Sequence, residues 1–152
     1  MPYLLLVHML CAVALIGAIT HQTLGILAPV QKAPRSFFAR FRAVNGAGYV
    51  NAIIVLFVVV NILGWIIYPN YRIGARINMT DLRLFKQVGT FELKENMMAL
   101  ALAMLPFYWW MWQPANATAH AATRKATTIL LAAIVWYGFL IGHYLNNISG
   151  II

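Results

Sequence analysis

Charged residues are scarce in this sequence. Only 9% of its 152 residues are charged, and three acidic side chains stand against eleven lysines and arginines. A soluble domain is typically about a quarter charged, so this chain has too little charge to cover the surface of a water-soluble globule. Because 62% of its residues are hydrophobic, lipid is the expected solvent, and we predict an integral membrane protein whose first partner is the bilayer.

Cysteine is nearly absent, since Cys11 is the single one. One cysteine forms neither an intrachain disulfide nor a cysteine-rich metal cluster, which leaves the four histidines as candidates for holding a metal or a cofactor. The net charge of +8 would suit nucleic acid if it lined one face, but the basic residues are spread over three connecting segments. We therefore predict no nucleic-acid partner.

Four apolar stretches approach the length of about 20 residues that a helix needs to cross a bilayer. They cover residues 3–28, 48–67, 96–112 and 127–145. The pattern predicts an all-α fold, an integral membrane four-helix bundle in which residues 1–152 form a single membrane domain. Four crossings would leave both termini on the same side.

Basic residues beside the spans indicate the orientation. The segment before the first span has no lysine or arginine, whereas the link after it holds Lys32, Arg35, Arg40 and Arg42. We therefore expect both termini outside, with the protein in a bacterial inner membrane. Since the three arginines alternate with aromatic residues, a composition that suits the headgroup boundary, Arg35, Arg40 and Arg42 are expected to contact anionic lipid.

Four polar residues in or beside the spans constrain how the helices pack. Asn51 and Asn61 belong to the second span, where an amide is costly in lipid, so each should face the bundle or a neighbouring subunit. Glu92 and Glu95 precede the third span. We expect them in the first turn of its helix, where the free amide groups favour negative charge, and in salt bridges.

The histidines provide the most specific functional hypothesis. An imidazole inside a span needs a partner, and haem iron is one, because two neutral imidazoles can ligate it from opposite faces. His8 lies near the start of the first span and His143 near the end of the fourth. Since these spans start on opposite sides, the two residues lie at a similar depth. We predict that His8 and His143 bind the cofactor, as ligands of haem iron.

His21 and His120 are the candidate ligands of a second haem. His21 lies about 20 Å beyond His8 along an ideal helix and about 140° around it. Its face of the helix carries four small residues, Ala14, Gly17, Ala18 and Gly25. Such a smooth face suits a porphyrin or a closely packed helix. A second haem would need the segment around His120 to bend, so one haem b fits more readily than two.

A family resemblance rests on two short segments, Leu6-Val7-His8-Met9-Leu10 and Ile141-Gly142-His143-Tyr144. With the plan of four short spans, they resemble the small four-helix membrane b-type cytochromes. The chain is also similar to the four-helix protoporphyrinogen oxidase and copper-resistance membrane families, which place a histidine early in the first span. The resemblance allows an oxidase that acts on a porphyrin, so whether the chain is an enzyme stays open.

Two functions remain open at this point. In the first, the protein is a membrane electron-transfer protein, in which a b-type haem held by His8 and His143 exchanges electrons with quinol or a partner redox protein. In the second, it is a non-catalytic structural subunit of a larger respiratory or photosynthetic membrane complex. The aromatic run from Pro106 to Trp112 is interpreted first as an interfacial belt and second as a quinone contact.

Overall fold

The computed structural model describes residues 2–28, 36–42 and 45–149, and the regular secondary structure of these residues is helical throughout. The helices are α1 (Pro2–Leu27), α2 (Phe37–Arg42), α3 (Val50–Ile73), α4 (Ala75–Asp81), α5 (Phe85–Met111), α6 (Pro114–Ala117) and α7 (Ala121–Ser149), with a short 3-10 turn at Gly46–Tyr49. The prediction of an all-α chain is confirmed for this part.

The four long helices, α1, α3, α5 and α7, form a closed ring. α1 packs against α3 and α7, and α5 packs against the same two helices. Neighbouring helices run in opposite directions, because Gln22 near the end of α1 bonds to Gly46 just before α3, and Trp112 just after α5 bonds to Thr128 near the start of α7. The ring therefore has two ends. The His8 end contains the starts of α1 and α5 and the ends of α3 and α7, and the Gln22 end lies opposite.

Apolar side chains from all four long helices fill the centre of the ring. They recur at helical spacing, so each helix turns one face inward. The fully buried ones include Leu15 and Ile19 of α1, Ile53 and Phe57 of α3, Ala101 and Tyr108 of α5, and Leu131 of α7. The inner faces of the four helices thus form one continuous core.

Polar side chains connect the long helices toward the Gln22 end. Gln22 is completely buried; its amide nitrogen donates to the Gly46 carbonyl at 2.9 Å, and its amide oxygen accepts from the Tyr108 hydroxyl at 2.6 Å. On the other side of α1, Trp136 of α7 donates through Nε1 to the Thr20 hydroxyl at 2.8 Å. These bonds fix α1 against three other parts of the fold.

Three helical segments are long and apolar enough to cross a membrane, namely Pro2–Leu27, Gly46–Asp81 and Ala121–Ile148. They correspond to the predicted spans at 3–28, 48–67 and 127–145. The remaining predicted span, 96–112, lies in α5, which is 27 residues long but less apolar. Its first three turns carry four charged residues, Lys86, Glu92, Lys94 and Glu95.

The outward faces of the long helices are also apolar. Large exposed side chains include Leu10 of α1, Val55 of α3, Leu100 of α5 and Leu140 of α7. Water-soluble monomers rarely expose extended apolar surface. Together with the three apolar segments, this surface is consistent with a membrane protein.

Candidate functional site

His8 projects from α1 into the bundle. It lies seven residues before the buried Leu15, on the same face of the helix. The ring lies against α3, where a Cβ atom at Gly64 would be 3.5 Å from His8 Cε1. It lies beside the backbone of Val60, while its Nδ1 is buried without a hydrogen-bond partner. Because buried polar atoms are nearly always paired, this nitrogen makes His8 the leading candidate for a functional side chain.

A cluster of charged and aromatic side chains surrounds the His8 end. Lys94 and Glu95 of α5 form an ion pair at 2.8 Å, and both act electrostatically on the His8 ring. Lys94 Nζ lies 4.3 Å from the centroid of the Phe91 ring, and Tyr71 of α3 stacks on Phe91 with 3.7 Å between ring centroids. The Tyr71 hydroxyl is also buried without a partner. α3 and α5 thus meet around one cluster of charged and aromatic side chains.

A second ion pair joins α4 to α5, since Arg76 donates to Glu92 at 2.9 Å. Salt bridging by Glu92 and Glu95 is confirmed. The prediction that both lie in the first turn of a helix is wrong, because α5 begins at Phe85. Arg76 was not predicted as the partner of Glu92, because the segment around Arg76 was expected only to connect two spans and not to form a helix.

His143 lies at the same end of the bundle as His8, on the adjacent helix α7, but it faces outward. Its side chain is exposed, its ring lies parallel to Phe139 with centroids 6.4 Å apart, and its Nε2 is 3.4 Å from the Asn147 amide nitrogen. Seven residues separate it from Trp136, so the two share an outer face beside α1. The structure therefore directs the His8 ring into the core and the His143 ring to the surface.

His21 and His120 lie toward the Gln22 end, each beside a different aromatic side chain. His21 is 7% exposed, with its ring centroid 5.0 Å from that of Tyr49. His120 is exposed just before α7, 5.7 Å from the Trp110 ring. Among the residues that the structure describes, no group of three or more His, Cys, Asp or Glu side chains could hold a metal ion.

An apolar groove runs between α3 and α5 on the outer surface. Its volume is about 730 Å³, and Val55 and Leu102 line its middle, with Trp109 and Trp110 of the aromatic run toward the Gln22 end. The amide of Asn51 also lines it. This α3–α5 groove therefore combines an apolar wall with a polar group at one end.

The two asparagines of α3 face in different directions. Asn61 is 8% exposed and donates to the Phe57 carbonyl of its own helix at 2.8 Å, so it faces the bundle as predicted. Asn51 is exposed and faces the groove.

The small residues that were predicted on the His21 face of α1 lie partly on the outer surface. Ala14 and Gly17 are exposed. A Cβ atom built at Gly17 or at Gly25 would meet no atom of the described residues within 4 Å. A backbone from another helix could approach closely at this stripe.

The predicted contacts with anionic lipid lie in or beside α2. Arg40 is exposed there. Arg35 lies outside the described residues, as does the side chain of Arg42, so the three-arginine contact stays a prediction.

No known protein-family model, curated protein or solved structure matches this chain.

Proposed function

We propose that this chain is an integral membrane four-helix bundle that crosses a bacterial inner membrane at α1, α3, α5 and α7, with both termini outside. α5 closes the ring formed with the three apolar segments. After Glu95 it carries no charged residue, and it ends beside Trp109 and Trp110, which suits a membrane interface. Lys94 lies near the opposite interface, within reach of the headgroups through its long side chain.

Within the membrane, the proposed role is that of a non-catalytic subunit of a larger complex. The observation that carries this proposal is the outward-facing amide of Asn51 on an apolar helix. At the level of Trp109 and Trp110, the Asn51 amide can bond to a polar group of a neighbouring helix, and such a hydrogen bond between membrane helices contributes about 1 kcal/mol. The open surface at Gly17 and Gly25 supports the proposal, because it permits close approach of a second helix.

Site-directed photo-cross-linking tests the subunit role. A cross-linking residue at Val55 in the α3–α5 groove, or at Gly17 on the small-residue stripe, is expected to give a discrete product in native membranes. The same probe at Leu140 on the outer face of α7 serves as the control and is expected to give none. Replacement of Asn51 by leucine should reduce the Val55 product about fivefold, the equivalent of about 1 kcal/mol.

The matched control is Gln113→Leu, which removes another amide at the Gln22 end of the bundle, one that is partly exposed and donates to the Trp109 carbonyl, and which should leave the yield unchanged. The subunit role is contradicted if neither the Val55 nor the Gly17 probe gives a product and the purified chain migrates as a single copy in mild detergent.

The buried, unpartnered Nδ1 of His8 favours a second candidate function, electron transfer through a b-type haem. Such a haem, when bound, supplies one-electron redox chemistry. His8 would hold the haem, since it offers a ring nitrogen inside the bundle. His143 lies at the same end of the bundle but faces outward, so it does not turn toward the same space as His8.

A visible spectrum tests this candidate. A haem-loaded chain is expected to show a Soret band, with sharpened α and β bands after reduction by dithionite. His8→Ala should abolish these bands, whereas His120→Ala, which removes an exposed histidine at the other end, should leave them. A colourless wild-type protein, or bands that survive in His8→Ala, would rule out haem ligation by His8.

A further inference from the structure

The guanidinium of Arg124 lies at the Gln22 end of the bundle, in the first turns of α7. Its Cζ atom lies over the Trp112 ring, 4.8 Å from the ring centroid. Its Nε is buried and has no hydrogen-bond partner among the described residues. Because a guanidinium carries five N–H donors and stays charged, contact with an aromatic face alone leaves the Arg124 side chain without an acceptor.

Trp112 holds this guanidinium in a defined position. The indole Nε1 donates to the Thr128 hydroxyl at 3.2 Å, and that hydroxyl donates to the Arg124 carbonyl at 2.8 Å. The ring also packs against Gly46, where a Cβ atom would lie 3.1 Å from Trp112 Cη2. Since α5, α7 and the turn before α3 all meet at this ring, the tertiary structure places the Arg124 side chain.

No acidic side chain of this chain is available to Arg124. The three acidic residues lie between positions 81 and 95, a segment at the His8 end. The first turn of α7 has none, whereas Arg40 and Lys125 add exposed positive charge at the Gln22 end. The start of a helix itself favours negative charge. An anion that neutralises Arg124 must therefore come from outside the chain.

We propose that Arg124 and Trp112 form a binding site for one anionic phospholipid, whose headgroup phosphate bonds to the guanidinium N–H groups. Arg124 is only partly buried, so a headgroup can reach it. The preceding residues Trp109 and Trp110 are exposed and suit the membrane interface, where the headgroups of a bilayer lie. The planar guanidinium matches the geometry of a phosphate.

The excess of positive charge at the Gln22 end favours a headgroup with net negative charge over a zwitterionic one. A lipid phosphate is the anion that the bilayer itself supplies at this depth. A carboxylate would instead require a neighbouring subunit with an acidic residue at this one level. The proposed lipid site rests on the proposed membrane crossing, but it does not depend on the proposed subunit role.

Native mass spectrometry of the full-length chain, released from nanodiscs of phosphatidylcholine and phosphatidylglycerol in equal parts, tests the site. The wild-type chain is expected to retain phosphatidylglycerol in preference to phosphatidylcholine. Arg124→Gln should reduce this retention about tenfold, because it removes the charge-assisted hydrogen bonds to the phosphate. Arg124→Lys keeps the charge but not the planar fork, so it should lose part of the retention.

Lys125→Gln is the matched control, because it removes the adjacent exposed cation, about 100° further around the helix, and should leave the retention unchanged. Equal losses in Arg124→Gln and Lys125→Gln overturn the proposal, as does a wild-type chain without preference for phosphatidylglycerol. If Arg124→Gln fails to fold, full retention in Arg124→Lys together with a loss in Lys125→Gln also contradicts the site.

Two further measurements identify the source of the anion. Displacement of phosphatidylglycerol by excess inorganic phosphate would assign the site to free phosphate and overturn the lipid assignment. Unchanged lipid retention in Arg124→Gln, with loss of the Gly17 cross-link in native membranes, would assign it to an acidic residue of a neighbouring subunit. Insertion of the chain into nanodiscs of phosphatidylcholine alone, followed by circular dichroism, tests the membrane crossing separately.

Discussion

Replacing Tyr108 by alanine is expected to destabilise the bundle by about 3 to 5 kcal/mol. Tyr108 is completely buried, its hydroxyl bonds to Gln22 at 2.6 Å, and its ring meets the edge of Trp112. Truncation would remove the ring from the packed core and leave the Gln22 amide oxygen buried without this donor. Reversible unfolding in mixed detergent micelles, followed by circular dichroism, would measure the loss.

Two variants separate the contributions to this loss. Tyr108→Phe keeps the ring and removes the hydroxyl, so it should cost about 1 to 2 kcal/mol. Trp109→Ala truncates the next aromatic residue, which is 46% exposed, and should cost about 0.5 kcal/mol. If Tyr108→Ala were no more costly than Trp109→Ala, the structural role assigned to Tyr108 would be incorrect.

Replacing Gly138 by leucine is expected to destabilise the contact between α5 and α7 by about 1 to 3 kcal/mol. A Cβ atom at Gly138 would lie 2.8 Å from Met98 Sδ. A methyl group there can be accommodated because the methionine side chain is flexible, so Gly138→Ala should be nearly neutral. A leucine side chain would force the helices apart, and its effect can be measured in the same micelle assay.

Gly142→Leu is the matched control for this effect, because Gly142 lies one turn further along α7. A Cβ atom there would meet no described atom within 4 Å. Both leucine variants gain about the same helix propensity over glycine, so the difference between them isolates the packing. Equal stability of the two variants would show that α5 and α7 do not approach closely at Gly138.

The functional residues were only partly predictable from their positions in the sequence. The similar depth of His8 and His143 follows from antiparallel spans, and the structure has both at one end of the bundle. The direction of each ring was not predictable, since the rotation of α1 and α7 within the ring depends on packing. The same reason explains why Asn61 faces inward while Asn51, on the same helix, lines the α3–α5 groove.

The partners in the ion pairs at the His8 end could not be assigned from the sequence alone, and the Arg76–Glu92 pair depends on the tertiary structure. The sequence indicated that Glu92 and Glu95 form salt bridges, but their partners lie on different elements, Arg76 on α4 and Lys94 beside Glu95 on α5. α4 is a short helix within a segment that was expected only to connect two spans. Short helices of this kind carry little hydrophobic periodicity, so their existence is determined by what they pack against.

The sequence by itself determined that this chain is helical and highly apolar, because composition and the length of apolar stretches are local properties. It also indicated four possible membrane spans, and three helical segments of the structure are long and apolar enough to cross a membrane. Only the tertiary structure decided which faces of those helices meet, and therefore that the His8 ring lies against α3 while His143 and Asn51 face outward. The physical reason is that a nearly uniform apolar helix has no strongly preferred face; side-chain packing against its neighbours selects one.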